Sequence, residues 1–420
     1  MRDRTPTRAL ENGALRYGVY DEAGNLLRYE YLALEDEPTD PGTDLSKATL
    51  LQDSTEVSLF GSAADRTVDD AFAGIAGQLK LIRDDMASIT VTLKDSGGHG
   101  LPGVLVQGIL SESGTAVYSN DSGVAAGFIG EGSQIIKISG YADIADYSET
   151  LTVVKGITIT KPLTLTTRDF LRITSSRSVK FSGNVETIDA DIGAAGGGGG
   201  GGYGAGWSGQ GSYHGGGNGG GGGDVVSVSG LTVTPDASYQ VIVGAGGVGG
   251  ANVAIRTISS DSYTGDPGTK GGDSSAFGYT ATGGSPGAGG RSSTSPASGN
   301  GAGGVGARDS GSSSSATNPT SGGSGTKTMH TAFDTTTAYG GGGGGGLSAK
   351  SSGSQASGGS PGGGKGGQDR TSGANGTAGI GGGGGGGYYW YDDGSIEGGG
   401  NGGKGGSGCV AIRMHLKSAA

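Results

Sequence analysis

Glycine runs constrain this chain more than any other feature. Glycine fills 99 of 420 positions, about a quarter against a usual share of about 7%. Glycine has no side chain to bury and loses the most backbone entropy on folding. Residues 193–408 therefore cannot build a conventional core, whereas residues 1–192 have an ordinary composition. The blocks are Gly196–Gly202, Gly215–Gly223, Gly244–Gly250, Gly283–Gly290, Gly340–Gly346, Gly358–Gly367, Gly381–Gly387 and Gly398–Gly408, spaced with no strict period. They do not form collagen, which needs glycine at every third position and abundant proline; only 11 prolines are present.

Two states remain for such a region. One is a flexible linker. The other is an ordered lattice: glycine runs take the left-handed helix of three residues per turn, rising about 3.1 Å per residue. Its N–H and C=O groups point sideways, so helices without Cβ atoms can bond to one another and satisfy the backbone. The framing favours the lattice. Strand-like segments Val179–Ser182 and Thr187–Ile192, expected to form one pair, then Val225–Val228, Leu231–Val233 and Tyr239–Val243 open the region, and Cys409–Leu416 closes it directly after glycine. The interrupting polar segments then become surface loops at the lattice ends, where binding residues commonly sit.

The rest of the chain reads as three parts. Residues 1–66 contain a strand, turn and strand over Leu15–Tyr20 and Leu26–Leu32, followed by the proline-bearing acidic stretch Glu35–Gly42. Across residues 67–87 a short helix is expected, because Val68, Phe72, Ile75, Leu79, Ile82 and Met86 fall at heptad spacing. That helix lies on its own domain or joins a short self-associating bundle, a trimer in fibres. Residues 88–168 carry short alternating strands between turns, the pattern of a small antiparallel sandwich. Their Pro102-Gly103-Val104, Asp121-Ser122-Gly123-Val124 and Ile136-Lys137-Ile138-Ser139-Gly140-Tyr141 resemble the carboxypeptidase-regulatory-like group of immunoglobulin-type modules. That resemblance implies a spacer or stalk.

The remaining segment, 169–420, carries a second resemblance. Ile188–Gly198, Leu231–Gly247, Gly271–Gly284 and Gly402–Arg413 look like the glycine-rich domain at the end of many phage tail fibres. Gly13–Tyr31 is similar to the start of tail proteins from phages of Gram-positive gut bacteria. The whole also resembles T-even-type fibre-tip adhesins, from which it departs by carrying its own stalk and N-terminal part. The resemblance implies a virion-attachment region that meets other tail or baseplate proteins. It implies a receptor-binding tip for a host surface glycan or protein, and a location in the virion after assembly in the bacterial cytoplasm. The expected fold class is mostly β, with a polyglycine II-type domain at the C-terminus.

Charge and motifs bear on other classes. The formal net charge is -11, which argues against a nucleic-acid partner and against basic docking to an acidic membrane. No run approaches the ~20 apolar residues of a membrane span. Met1–Pro6 is followed by no apolar stretch, so no secretory leader is read. Cys409, the only cysteine, sits in an apolar run and reads as a buried strand residue. Gly244-Ala-Gly246-Gly-Val-Gly249 is a literal dinucleotide fingerprint after a strand, but no amphipathic helix follows it. His99, His214, His330 and His415 are isolated. Asp84-Asp85 and Asp392-Asp393 are adjacent pairs, which do not share a face. No catalytic set is read, no metal site and no cofactor.

The binding candidates are aromatic. Tyr388, Tyr389, Trp390, Tyr391, Asp392 and Asp393 follow a glycine run in a region poor in rings. Rings stack on the apolar face of a sugar, and carboxylates accept its hydroxyl hydrogen bonds. The alternative is that these rings pack over the lattice. Tyr203, Trp207, Tyr213 and Tyr263 form a second group, for which packing is the preferred reading.

Overall fold

The computed structural model describes residues 15–20, 26–32, 86–205, 212–255, 265–290, 297–304, 308–311, 318–348, 354–389 and 399–417. The chain divides into two compact units, Met1–Asp85 and Met86–Ala420. In the first, β1 (Leu15–Tyr20) pairs antiparallel with β2 (Leu26–Leu32), as the sequence predicts. The expected helix falls on residues 67–85, outside the described residues. Its last two positions, Met86 and Ala87, belong to a strand instead. Among the described residues every regular element is a strand, so the fold is mostly β.

The second unit opens with β3 (Met86–Lys94), β4 (Leu105–Leu110), β5 (Ala116–Tyr118), β6 (Val124–Gly130), β7 (Gly132–Ile138), β8 (Tyr147–Val153) and β9 (Thr158–Thr164). They run in the order β8-β7-β4-β6-β3-β9, with β5 on β4. The sheet folds over at β4, which pairs with β7 at Gln107 and with β6 at Leu110. Alternate residues of β3, namely Ala87, Ile89, Val91 and Leu93, point into one core with Val106, Ile129, Ile136 and Ile138. This is the period-two burial that a half-buried strand requires.

Next come β10 (Phe170–Ile173), β11 (Arg177–Val179), β12 (Val185–Gly193), β13 (Tyr203–Ala205), β14 (Ser212–Gly215), β15 (Val225–Thr232), β16 (Tyr239–Val241) and β17 (Val253–Ile255). The later strands are β18 (Ser274–Ala276), β19 (Tyr279–Ala281), β20 (Arg308–Gly311), β21 (Thr328–Ala332), β22 (Thr335–Ala338) and β23 (Cys409–Leu416). A sheet of order β10-β23-β12-β15 forms the base of the glycine region. The expected pairing of Val179–Ser182 with Thr187–Ile192 is not made. β11 pairs with β16, and β12 pairs with β15 and β23. The closing strand β23 thus lies between β10 and β12. Its Val410, Ile412 and Met414 face one core, and Cys409 and Ala411 face the other, so Cys409 is a buried strand residue.

Residues 88–168 and the glycine-rich region share one unit, joined by the backbone bonds Ala142 N–H to Lys180 O, Lys180 N–H to Gly140 O and Gly183 N–H to Pro102 O and by two side-chain clusters. Ser182 donates its N–H and its hydroxyl to buried Asp143. Asp236 accepts from Tyr118 Oη and Tyr141 Oη, each at 2.9 Å, and from Lys180 Nζ at 3.0 Å. Burial works to raise the Asp236 carboxyl. The hydrogen bonds from Lys180, Tyr118 and Tyr141 outweigh it and hold the group below its usual value. A carboxylate held lower in the folded chain adds stability above its unfolded pKa and loses it as pH falls through the folded one. This junction is therefore expected to weaken below about pH 4. Asp236→Asn should reduce that acid sensitivity and cost about 1–3 kcal/mol at pH 7. Urea unfolding of both proteins at pH 7 and pH 3 checks it; an unchanged difference between the two pH values counts against the contact.

Candidate functional site

Beyond the base sheet the glycine runs pack as a lattice of extended helices. Gly196–Gly202 shows its rule. The N–H groups of Gly196, Gly199 and Gly202 donate to the carbonyls of Gly406, Gly403 and Gly400. Those of Gly197 and Gly200 donate to Gly221 and Asn218, and those of Gly198 and Gly201 to Thr269 and Asp266. Its carbonyls accept in the same rotation: Gly196 and Gly199 from Gly247 and Gly250, Gly197 and Gly200 from Gly384 and Gly387, Gly198 and Gly201 from Gly287 and Gly290. Partners repeat every third residue, as a three-fold helix demands. The neighbours also bond to one another, as in Gly402 to Gly250, Thr269 to Val248, Gly268 to Gly287, Asn218 to Ala288, Gly217 to Gly387 and Gly403 to Gly385. One run is thus ringed by six.

Segments 217–223, 341–346 and 383–387 are enclosed in the same way, and all are buried throughout. An enclosed helix meets a neighbour on every face, so its positions are glycine, with buried Asn218 in segment 217–223 the exception. A Cβ built on Gly198, Gly219, Gly343 or Gly384 would lie 2.0–2.1 Å from a backbone carbonyl oxygen. Perimeter helices keep one face in solvent and follow a looser rule. Gly265, Gly268 and Gly271 are buried while Asp266, Pro267, Thr269 and Lys270 are exposed. Gly244, Gly247 and Gly250 are likewise buried while Ala245 and Val248 are exposed. Glycine therefore recurs every third residue within the edge helices, although the blocks themselves are spaced with no strict period. The dinucleotide-like Gly244–Gly249 is one such edge.

A family model for a glycine-rich domain matches residues 174–415. The chain belongs to the glycine-rich domain family. No curated protein matches the chain. The matched span of this glycine-rich domain takes in the base-sheet strands β12 and β15, nearly all of β23, the β11–β16 pair and the lattice between them, and begins just after β10.

The direction of each helix decides where the domain's connections emerge. Gly196–Gly202 leaves β12 and climbs away from the base sheet, and residues 244–250, 284–290 and 383–387 run beside it in the same sense. Segments 265–271 and 400–406 descend, the latter into β23. The described ends flanking 206–211, 256–264, 349–353 and 390–398 consequently lie at the end remote from the base sheet, as does Gly290 before 291–296. There β17, β13, β14 and β20 form a small sheet, with Tyr203 opposite Gly215 and Val253. The base-sheet end instead holds the β18–β19 and β21–β22 hairpins.

The sequence candidates divide accordingly. The Tyr203 and Tyr389 rings are fully buried and Tyr388 is 7% exposed, so these three pack over the lattice rather than face a ligand. Tyr389 N–H bonds to Leu347 O, tying its segment to the lattice top. Burial and the nearby Asp369 charge raise the Tyr388 hydroxyl pKa. Tyr213 lies on β14, paired with Ala205 and Ser310. Trp207, Tyr263, Trp390, Tyr391, Asp392 and Asp393 lie outside the described residues. Among the described residues no group of His, Cys, Asp and Glu is arranged to hold a metal ion.

A polar part of the remote end was not singled out from sequence. The turn Gln368–Thr371 joins perimeter segments 362–367 and 371–379 and is closed by Thr371 N–H to Gln368 O at 2.8 Å. Asp369 and Arg370 form its apex, exposed beside Tyr388. The dipeptide sits outside the glycine runs and has no aromatic ring, so no composition signal marked it.

Proposed function

We propose that this chain is a phage tail-fibre protein whose glycine-rich domain holds a host surface glycan at the end remote from its base sheet. One observation supports the reading: the described residues that flank 206–211, 256–264, 349–353 and 390–398 lie at that end, while the opposite end is occupied by the base sheet and its junction with residues 88–168. A backbone lattice gives rigid support, and the connections it joins are free to differ in sequence without disturbing it. The aromatic and acidic residues Trp390–Asp393 suit stacking on a sugar ring and accepting its hydroxyls. Retention would come from avidity, with weak contacts multiplied over several copies on one particle. No catalytic residues are assigned.

The test uses the full chain, fluorescently labelled, on a panel of bacterial strains. Its partner variant replaces Trp390–Asp393 with Gly/Ser residues and leaves buried Tyr388 and Tyr389 in place. The expected result is coating of some strains and not others, lost in the variant at unchanged melting temperature. Equal coating of every strain with or without the segment, or coating of none, refutes the reading and favours a purely structural glycine-rich protein.

A further inference from the structure

Among the described residues, the non-glycine positions with left-handed backbone are Asp236, Phe277, Asp369 and Arg370, with φ of 59°, 53°, 45° and 69°. A Cβ makes this conformation unfavourable. Asp236 holds the junction cluster, and Asp369 and Arg370 form a turn between two edge helices. Phe277 stands apart in carrying a bulky ring. With Gly278, at φ of 83°, it forms the two-residue turn of the β18–β19 hairpin. Positive φ at both central residues defines the turn type that prefers Asn-Gly. What the Phe277 ring touches must offset that strain.

The ring is only half-buried. It packs on fully buried Phe181 and on Tyr239, with ring centroids 6.1 and 5.5 Å away. It also walls a cavity of about 480 Å³ between the hairpin turn, β15 and β16, within the range of about 300–1,000 Å³ of small-molecule sites. Tyr239 and Leu231 line the same cavity, and Thr232, Ser238 and Gln240 supply its polar groups. The walls are held from behind. Tyr239 Oη accepts from Thr234 N–H at 2.8 Å, and Phe181 meets the Tyr239 ring edge-on at 5.7 Å. Gln240 Oε1 accepts from Ser178 Oγ at 2.9 Å, which orients the amide and leaves its N–H groups to donate elsewhere. Thr232 and Ser238 are exposed, and each hydroxyl can donate or accept. None of the described residues lining the cavity carries a charge.

We propose that this cavity binds a neutral sugar unit, its apolar face against Tyr239 and Phe277 and its hydroxyls bonded to Gln240, Thr232 and Ser238. A sugar ring has a C–H face and a girdle of hydroxyls, so aromatic walls with a neutral polar rim match it. An ion would find no counter-charge there, and a wholly apolar ligand would cover the three polar groups without pairing them. The cavity lies beside the base sheet, opposite the remote end, so it is a separate site and does not rest on the receptor-binding reading above.

The test is saturation-transfer NMR on the full chain with a panel of neutral trisaccharides built from glucose, galactose, mannose, rhamnose or N-acetylglucosamine. The expected result is transfer to the ring protons of at least one of them. Gln240→Ala changes an exposed side chain, so it should melt with the parent and raise the dissociation constant about two- to tenfold, the worth of one hydrogen bond. Phe277→Asn installs the preferred turn residue and removes a wall, so transfer should be lost from it. Should Phe277→Asn fail to fold, Gln240→Ala alone decides. The variant with Trp390–Asp393 replaced should bind the trisaccharide as the parent does. Transfer to none of the panel, or transfer unchanged in Gln240→Ala and in folded Phe277→Asn, overturns the proposal and leaves the remote-end reading untouched. Transfer lost only when Trp390–Asp393 is replaced overturns it as well, and supports the remote end instead.

Discussion

Gly198→Ala is expected to destabilise the unit by about 3–5 kcal/mol. The added methyl would lie 2.0 Å from the Val248 oxygen and 2.4 Å from its carbonyl carbon. Both are backbone atoms of a helix held in turn by its own neighbours, so no side chain can swing aside. Overpacking costs about 1–3 kcal/mol. Separating the helices adds the loss of the Gly247 N–H to Gly196 O and Gly250 N–H to Gly199 O bonds, each about 1 kcal/mol. The sign is the informative part. Gly→Ala at a compatible site stabilises by about 0.4–1 kcal/mol through the unfolded chain. Val248→Ala, at an edge position 55% exposed, is expected to stay within about 0.5 kcal/mol of the parent. Denaturant unfolding of the three proteins checks this; a Gly198→Ala protein as stable as the parent would sink the lattice as the source of order.

Tyr339→Ala is expected to cost a similar amount for the opposite reason, by leaving a hole. Tyr339 is 1% exposed where the lattice meets the base sheet, packed with Val225, Met329, Cys409 and Ala411. Its hydroxyl donates to Ala194 O at 2.8 Å. The ring lies so close to the backbone that a Cβ on Gly193 or Gly381 would come within 2.5–2.6 Å of it. Those two glycines make room for the ring, and removing it leaves nothing to fill the space. Truncating a buried aromatic costs about 3–5 kcal/mol. Tyr339→Phe keeps the packing and strands only the Ala194 carbonyl, for about 1–2 kcal/mol. Thermal unfolding that ranks both variants equal would show that the hydrogen bond, not the packing, holds this joint.

Much of the architecture was legible because it depends on local pattern. The alternation Ile89-Thr90-Val91-Thr92-Leu93 marked β3, and its odd residues are buried as a period of two requires. Cys409–Leu416 was read as the closing strand and is β23. The glycine blocks were read as lattice helices, and four of them supply the enclosed ones. Pairing was less legible. Val179–Ser182 and Thr187–Ile192 are neighbours in sequence, yet β12 takes β15 and β23 as partners, the latter more than two hundred residues away. Strand pattern says which face is buried but not which strand lies alongside. The three-residue period of the edges was missed because each edge is short and polar residues fill its outward positions.

The candidate site was legible in part. Aromatic residues flanking glycine runs were singled out, but Tyr203, Tyr388 and Tyr389 turned out to be buried. A ring beside a run in sequence does not reveal whether it covers the lattice or leaves it. The Asp369–Arg370 turn carried no aromatic signal, and only its backbone angles set it apart.

The sequence by itself determined that residues 193–408 must be held by backbone rather than side chains, because they have few side chains to bury. It also determined the strands that open and close that region. Only the tertiary structure decided which runs are enclosed and which lie at the edge, since that depends on how many neighbours each helix has. It alone decided at which end of the lattice each run begins and stops. Helix direction is set by bonds between segments far apart in the chain, and no local pattern encodes those partners.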